Sequence, residues 1–66
     1  MDKFHVFIYK GKYSFRRSGK PRAIRTFSSE QEAIEYGILY MVRRKGGIMW
    51  VHYPNALIKR HITLYV

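Results

Sequence analysis

The chain of 66 residues has no cysteine, which excludes both a disulfide framework and a thiolate zinc site as staples. A domain this small must then hold together by aliphatic and aromatic packing alone. Acids are scarce, with 4 Asp and Glu against 13 Lys and Arg, for a formal charge of +9. No apolar run approaches the roughly 18–20 residues that a membrane-crossing helix requires. Met1 to Val6 carry an acid at Asp2, and Lys10 follows after only a few apolar residues, so no signal-peptide core is expected and the expected location is cytoplasmic. What is present is hydrophobic: 47% of the chain is apolar and 17% aromatic, too much for a disordered basic tail. Residues 1–66 are expected to form a single globular domain.

The charge is unevenly placed. Apart from Asp2, the acids are Glu30, Glu32 and Glu35, whereas Lys10, Lys12, Arg16, Arg17, Lys20, Arg22 and Arg25 form a stretch without an acid. Arg43, Arg44 and Lys45 follow the acidic window, and Lys59 and Arg60 come later. Basic residues often serve only to keep a small protein in solution. Seven cations on neighbouring strands, however, repel one another and call for a counter-charge.

Phe4 to Lys10 is rich in β-branched and aromatic residues, and Gly11 follows at once, as in a strand entering a tight turn. Lys12 to Arg17 then alternates. A two-residue Lys10-Gly11 loop predicts a hairpin pairing Tyr9 with Lys12, Ile8 with Tyr13, Phe7 with Ser14, Val6 with Phe15 and His5 with Arg16. One face is then apolar, with Phe4, Val6, Ile8, Tyr13 and Phe15, and the other is aromatic and basic, with His5, Phe7, Tyr9, Lys12, Ser14 and Arg16. Ser18 to Pro21 reads as a turn, and Arg22 to Phe27 as a third strand with Ile24 toward the core. A four-residue loop would set Arg25 beside Ser14 on the outer face, and a three-residue loop would turn it inward.

Ser29 with Glu32 makes a capping box, and Ser28 with Gln31 a second register of it, so a helix is predicted to begin here. Its acids lie in the first turns and Arg43, Arg44 and Lys45 in the last, as the helix dipole favours. At 100° per residue Ala33, Ile34, Gly37, Ile38 and Met41 share the core face. Tyr36, Leu39 and Arg43 project outward as a candidate protein contact, and Gly46-Gly47 is expected to end the helix. Ile48 to Tyr53 reads as an apolar strand, Pro54 to Ala56 as a turn. Leu57 to Val66 then places Ile58, Ile62, Leu64 and Val66 on one face and Lys59, His61, Thr63 and Tyr65 on the other. The order β-β-β-α-β-β predicts an α+β domain, a mainly antiparallel sheet with one helix packed on one face.

Catalytic chemistry finds no support in the residues. His5, His52 and His61 fall on three different predicted strands, which does not suggest a metal site, and His52 reads as a sheet-face residue. No serine has a His and a carboxylate in a recognisable arrangement. Gly46-Gly47 lacks the Lys-Ser/Thr of a phosphate-binding loop. The expectation is a non-enzyme without metal or cofactor.

An aromatic and basic sheet face suits a polyanion. Lys12, Arg16 and Arg25 can meet phosphates or guanine edges, His5, Phe7 and Tyr9 can stack, Ser14 offers a hydroxyl, and Lys10, Arg17, Lys20 and Arg22 lie at the flanking turns. The segments GKYSFRR (11–17) and RTFSSEQEAI (25–34) resemble the strand, strand, "T-F-x-S/T-x-x-E-A" helix pattern of plant ethylene-response-factor DNA-binding domains and of lambda-type integrase arm-binding domains. That resemblance implies a three-stranded sheet in the DNA major groove, with Lys12, Ser14, Arg16, Arg22 and Arg25 facing it. The whole chain is also similar to a small bacterial family of unknown function, with a strand pair, a helix and a final "V-V-H-x-x-x-G-x-I" hairpin. Tyr13 stands where that family usually has Trp, and Pro54 to Ala56 replace its Asp-Gly turn.

Two functions follow. The favoured one is a non-catalytic nucleic-acid-binding protein, with DNA favoured over RNA and duplex over single strand, acting as a small bacterial or phage regulator and nucleoid-associated. The alternative is a phage-type adaptor or inhibitor that seizes an acidic host protein through a sheet edge or the Tyr36-Leu39 helix face. A homodimer formed by pairing free strand edges is compatible with either.

Overall fold

The computed structural model describes residues 2–65. The elements are β1 (Lys3–Tyr9), β2 (Lys12–Arg17), β3 (Arg25–Phe27), α1 (Glu30–Arg43), β4 (Gly46–His52) and β5 (Ile58–Tyr65), an α+β arrangement. They build one five-stranded sheet in the order β3-β2-β1-β4-β5.

The β1-β2 hairpin has the register its turn dictates, from Tyr9 opposite Lys12 to His5 opposite Arg16. Lys10 and Gly11 both take positive φ, 51° and 76°, the turn whose twist matches paired strands. The sheet as a whole is not antiparallel: β4 lies against β1 in parallel, with His5 opposite Trp50 and Val6 opposite Val51. A parity rule explains this. β1, β2 and β3 alternate in direction, α1 runs back, and β4 therefore starts in the direction of β1, whose second edge is the free one. β5 then returns antiparallel to β4.

α1 covers one face of the sheet. Its N-cap is Ser29, whose hydroxyl accepts from the Glu32 N–H at 3.2 Å. Instead of closing the box on Ser29, the Glu32 carboxylate accepts from the Ser28 hydroxyl at 3.4 Å. Ala33, Ile34, Gly37 and Met41 are buried against Phe4, Val6, Phe15, Met49 and Val51. Gly37 permits the close approach: a Cβ there would come within 2.6 Å of the Met49 sulfur and 3.0 Å of the Phe15 ring. Ile38 is only partly buried.

Tyr36 does not project outward. It lies at the flank of the core, edge-on to Phe15 at 5.8 Å and tilted against Phe27 at 5.2 Å, because the sheet extends past the helix on the β3 side and offers rings to cover. Leu39 does face outward, at 60% exposure. Gly46-Gly47 does not end the helix. Arg44 is the C-cap, Lys45 takes the left-handed conformation at φ 63°, and both glycines open β4.

Arg22 and Ile24 fall outside β3, and Ile24 is an exposed residue whose N–H donates to the Phe15 carbonyl at 2.7 Å. On β5, Ile62 and Leu64 pack toward the helix as expected, but an irregularity at Val51/His52 pairs Ile58 with His52, so Ile58 leaves the core face. Val66 lies outside the described residues. Among the described residues no helix is long and apolar enough to cross a membrane.

Ala56 has a φ of 74° in the β4-β5 turn, a conformation that costs an L-residue roughly 1–2 kcal/mol. Ala56→Gly is therefore expected to stabilise the domain by about 1 kcal/mol net of glycine's entropy. For a domain of this size that appears as a rise of roughly 4–8 °C in Tm. A fall in Tm would show that the methyl group contributes packing.

Candidate nucleic-acid interface

Among the described residues the sheet face away from α1 has no layer over it. Register places His5, Phe7, Tyr9, Lys12, Ser14 and Arg16 there, joined by Thr26 from β3, by Ile48, Trp50 and His52 from β4, and by His61, Thr63 and Tyr65 from β5. One row crosses four strands: Arg16, His5, Trp50 and His61 stand side by side. None of the strands contains an Asp or Glu.

The acids are on the other side or at its margin. Glu30 accepts from Lys59 at 3.1 Å. Asp2 accepts from Arg44 at 3.0 Å and lies 3.6 Å from Arg17. The Arg44 hydrogen bond, with the charges of Arg17 and Arg44 adding to it, holds the Asp2 carboxyl below the usual range.

The expected site residues do not all meet. His5, Tyr9, Lys12 and Arg16 share the open face. Lys10 lies in the hairpin turn with its ammonium 5.4 Å from the Tyr9 ring, and Lys20 and Arg22 lie on the exposed β2-β3 connection. Ser14 is on this face and, at 4% exposure, is buried between its neighbours. Arg17 is turned to the helix side, where it meets Asp2 and lies over the Phe4 ring at 5.6 Å. Arg25 is on that side too. β3 pairs through Arg25 opposite Phe15, and its guanidinium lies over Phe27 and Tyr36 at 5.6 and 5.4 Å. Of the two orientations open to Arg25, the inward one is the one adopted.

Arg16 is half-buried, with its guanidinium 4.9 Å over the Phe7 ring and its buried Nε–H without an acceptor among the described residues. His5 stacks on Trp50 at 5.3 Å, and its ring centre lies 5.1 Å from that of His52, which it meets edge to edge. The histidines form a directed pair. The Ala56 carbonyl can only accept, so at 3.0 Å it draws the proton to Nδ1 of His52. That leaves Nε2 of a neutral His52 to accept from Nδ1–H of His5 at 2.8 Å. Burial, with the charge of His52 second, holds His5 below the usual imidazole range.

These contacts form the floor of a groove of about 380 Å³, with His5, Phe7, Arg16 and His52 below, Ser18 to Lys20 on one rim and Tyr53, Pro54 and Ala56 on the other. Sequence reasoning left Trp50, His52 and His61 out of the site. Their alternation in β4 and β5 put them on one face, but only the parallel β1-β4 pairing brings that face to His5 and Arg16. Among the described residues no group of three or more His, Cys, Asp or Glu could hold a metal ion. No protein family, curated protein or solved structure matches this chain.

Proposed function

We propose that the protein is a non-catalytic nucleic-acid-binding protein of bacterial or phage type, a small regulator or accessory factor with double-stranded DNA as its favoured target. The observation that carries this reading is the open sheet face, where Lys12, Arg16 and aromatic rings lie together on strands that contain no carboxylate. Phosphates supply the missing counter-charge, and stacked rings supply contact area. The resemblance to domains that lay a three-stranded sheet in the major groove favours duplex DNA. The hairpin β1-β2, with Lys10 and Lys12 at its exposed tip, is the element best placed to enter a groove.

Binding to duplex DNA, single-stranded DNA and duplex RNA, followed side by side as salt is raised, tests the proposal. With about five phosphates neutralised, duplex DNA affinity should fall roughly 10² to 10³ fold between 50 and 200 mM salt. Affinity that does not change over that range would sink the proposal. Strongest binding to duplex RNA would overturn the choice of DNA.

A further inference from the structure

We infer that the groove beside the His5-His52 pair is a subsite for one nucleoside monophosphate unit, free or as the unpaired residue of a strand. The inference rests on the nucleic-acid reading above and adds to it the class of group the groove takes.

Three features of the groove select this ligand. Its volume of about 380 Å³ lies in the range of small-ligand sites, roughly 300–1,000 Å³. Its lining includes flat rings, the His5 and His52 imidazoles, with Trp50 against one face of His5, and Phe7, with Arg16 over one face, and the faces left over suit stacking by any base. Its cations are Arg16 and Lys20, and neither has a carboxylate partner among the described residues. Arg17 also borders the groove, but its guanidinium is engaged by Asp2.

The geometry separates the two halves of the ligand. A base laid over Phe7 and the imidazoles meets the hydrogen-bonding edge of the histidine pair, whose proton positions are set by the Ala56 carbonyl. A phosphate near the Ser18-Gly19-Lys20 turn lies within reach of the Lys20 ammonium and the Ser18 hydroxyl. A base inside a duplex is stacked and paired, so its face cannot enter. The unit must be unpaired, at a strand end, in a gap or flipped out.

The test uses the full chain with adenosine 5′-monophosphate, adenosine, inorganic phosphate and a short oligo-dA. The readouts are backbone amide shifts and Trp50 fluorescence. Adenosine 5′-monophosphate should bind at least about tenfold more tightly than phosphate, since one stacked base is worth roughly tenfold or more, and more tightly than adenosine, which lacks the phosphate. The shifts should centre on Gly19, Lys20 and His52. Lys20→Ala, an exposed change that leaves the fold intact, should weaken the nucleotide about fivefold and leave adenosine unaffected. Equal binding of nucleotide and phosphate, or shifts centred away from the groove, would overturn the inference. Tighter oligo-dA than mononucleotide binding, with the same residues shifted, assigns the unit to a strand, and the reverse assigns it to a free nucleotide. Duplex DNA binding on the same preparation separates the two proposals: if it persists while the nucleotide fails, only the groove is lost, and if both fail, the nucleic-acid reading falls as well.

Discussion

Phe15→Ala should leave the domain largely unfolded at room temperature, with loss of the cooperative transition in urea. Phe15 is fully buried in β2, stacked on Phe4 at 5.0 Å and edge-on to Tyr36 and Tyr40 at 5.8 and 5.4 Å. Removing a buried Phe ring costs about 3–5 kcal/mol. At the usual 0.05–0.15 kcal/mol per residue, a domain of this length has roughly 3–10 kcal/mol in all. The loss is therefore comparable to the total. No staple offsets it, because there is no cysteine. Relaxation cannot close the gap cheaply, since the ring also lies beneath Gly37, where the helix backbone comes closest. Urea denaturation followed by circular dichroism reads the result, with Tyr65→Ala as the control. Tyr65 is 81% exposed, and its replacement should change stability by no more than about 0.5 kcal/mol. A Phe15→Ala variant that kept its transition, with a shift as small as the control's, would show that the core does not depend on this ring cluster.

The first hairpin was legible in full because its register has a single local cause. A two-residue turn at Lys10-Gly11 fixes every pair up to His5 and Arg16, and alternation assigns the faces. The helix start was legible for the same reason, since the Ser29 cap lies within three residues of its target. Non-local features were not. The parallel β1-β4 pairing depends on where a strand docks after a helix, which no short motif encodes. Lys45, next to the C-cap, is the first residue after the helix with positive φ, and Gly46 and Gly47, at φ 108° and 154°, belong to β4.

The candidate site was half legible. The aromatic and basic composition of one hairpin face could be read from alternation alone, and the fold keeps His5, Tyr9, Lys12 and Arg16 together there. Arg25 could not be placed, because residues 18–24 do not continue a strand and β3 starts only at Arg25 itself. Register then sends it to the side of Phe15. The histidine pair was out of reach for a different reason. Residues 47 positions apart meet at 2.8 Å only because β4 docks on β1, so spacing along the chain says nothing of their contact.

The paired change Lys12→Ala with Arg16→Gln should weaken duplex DNA binding by roughly 10²-fold at 0.1 M salt, since each phosphate contact is worth roughly tenfold there by counter-ion release. The slope of log affinity against log salt should fall by about 2. Both side chains are on the open face, one strand away from the aromatic residues of β1, and neither is paired with an acid among the described residues. Arg25→Ala is the informative contrast. It removes the same charge from the same stretch of sequence, but from the helix side, where the guanidinium lies over Phe27 and Tyr36. A protein that held DNA through its net charge alone would respond to all three cations alike. One that uses the open face loses affinity with Lys12 and Arg16 and changes little with Arg25. Fluorescence polarisation of a labelled duplex from 50 to 200 mM salt measures affinity and slope together, and thermal unfolding checks that each variant is folded. An Arg25→Ala defect per charge as large as that of the paired change would contradict the sheet-face interface. Unchanged affinity in the paired variant would remove Lys12 and Arg16 from it altogether.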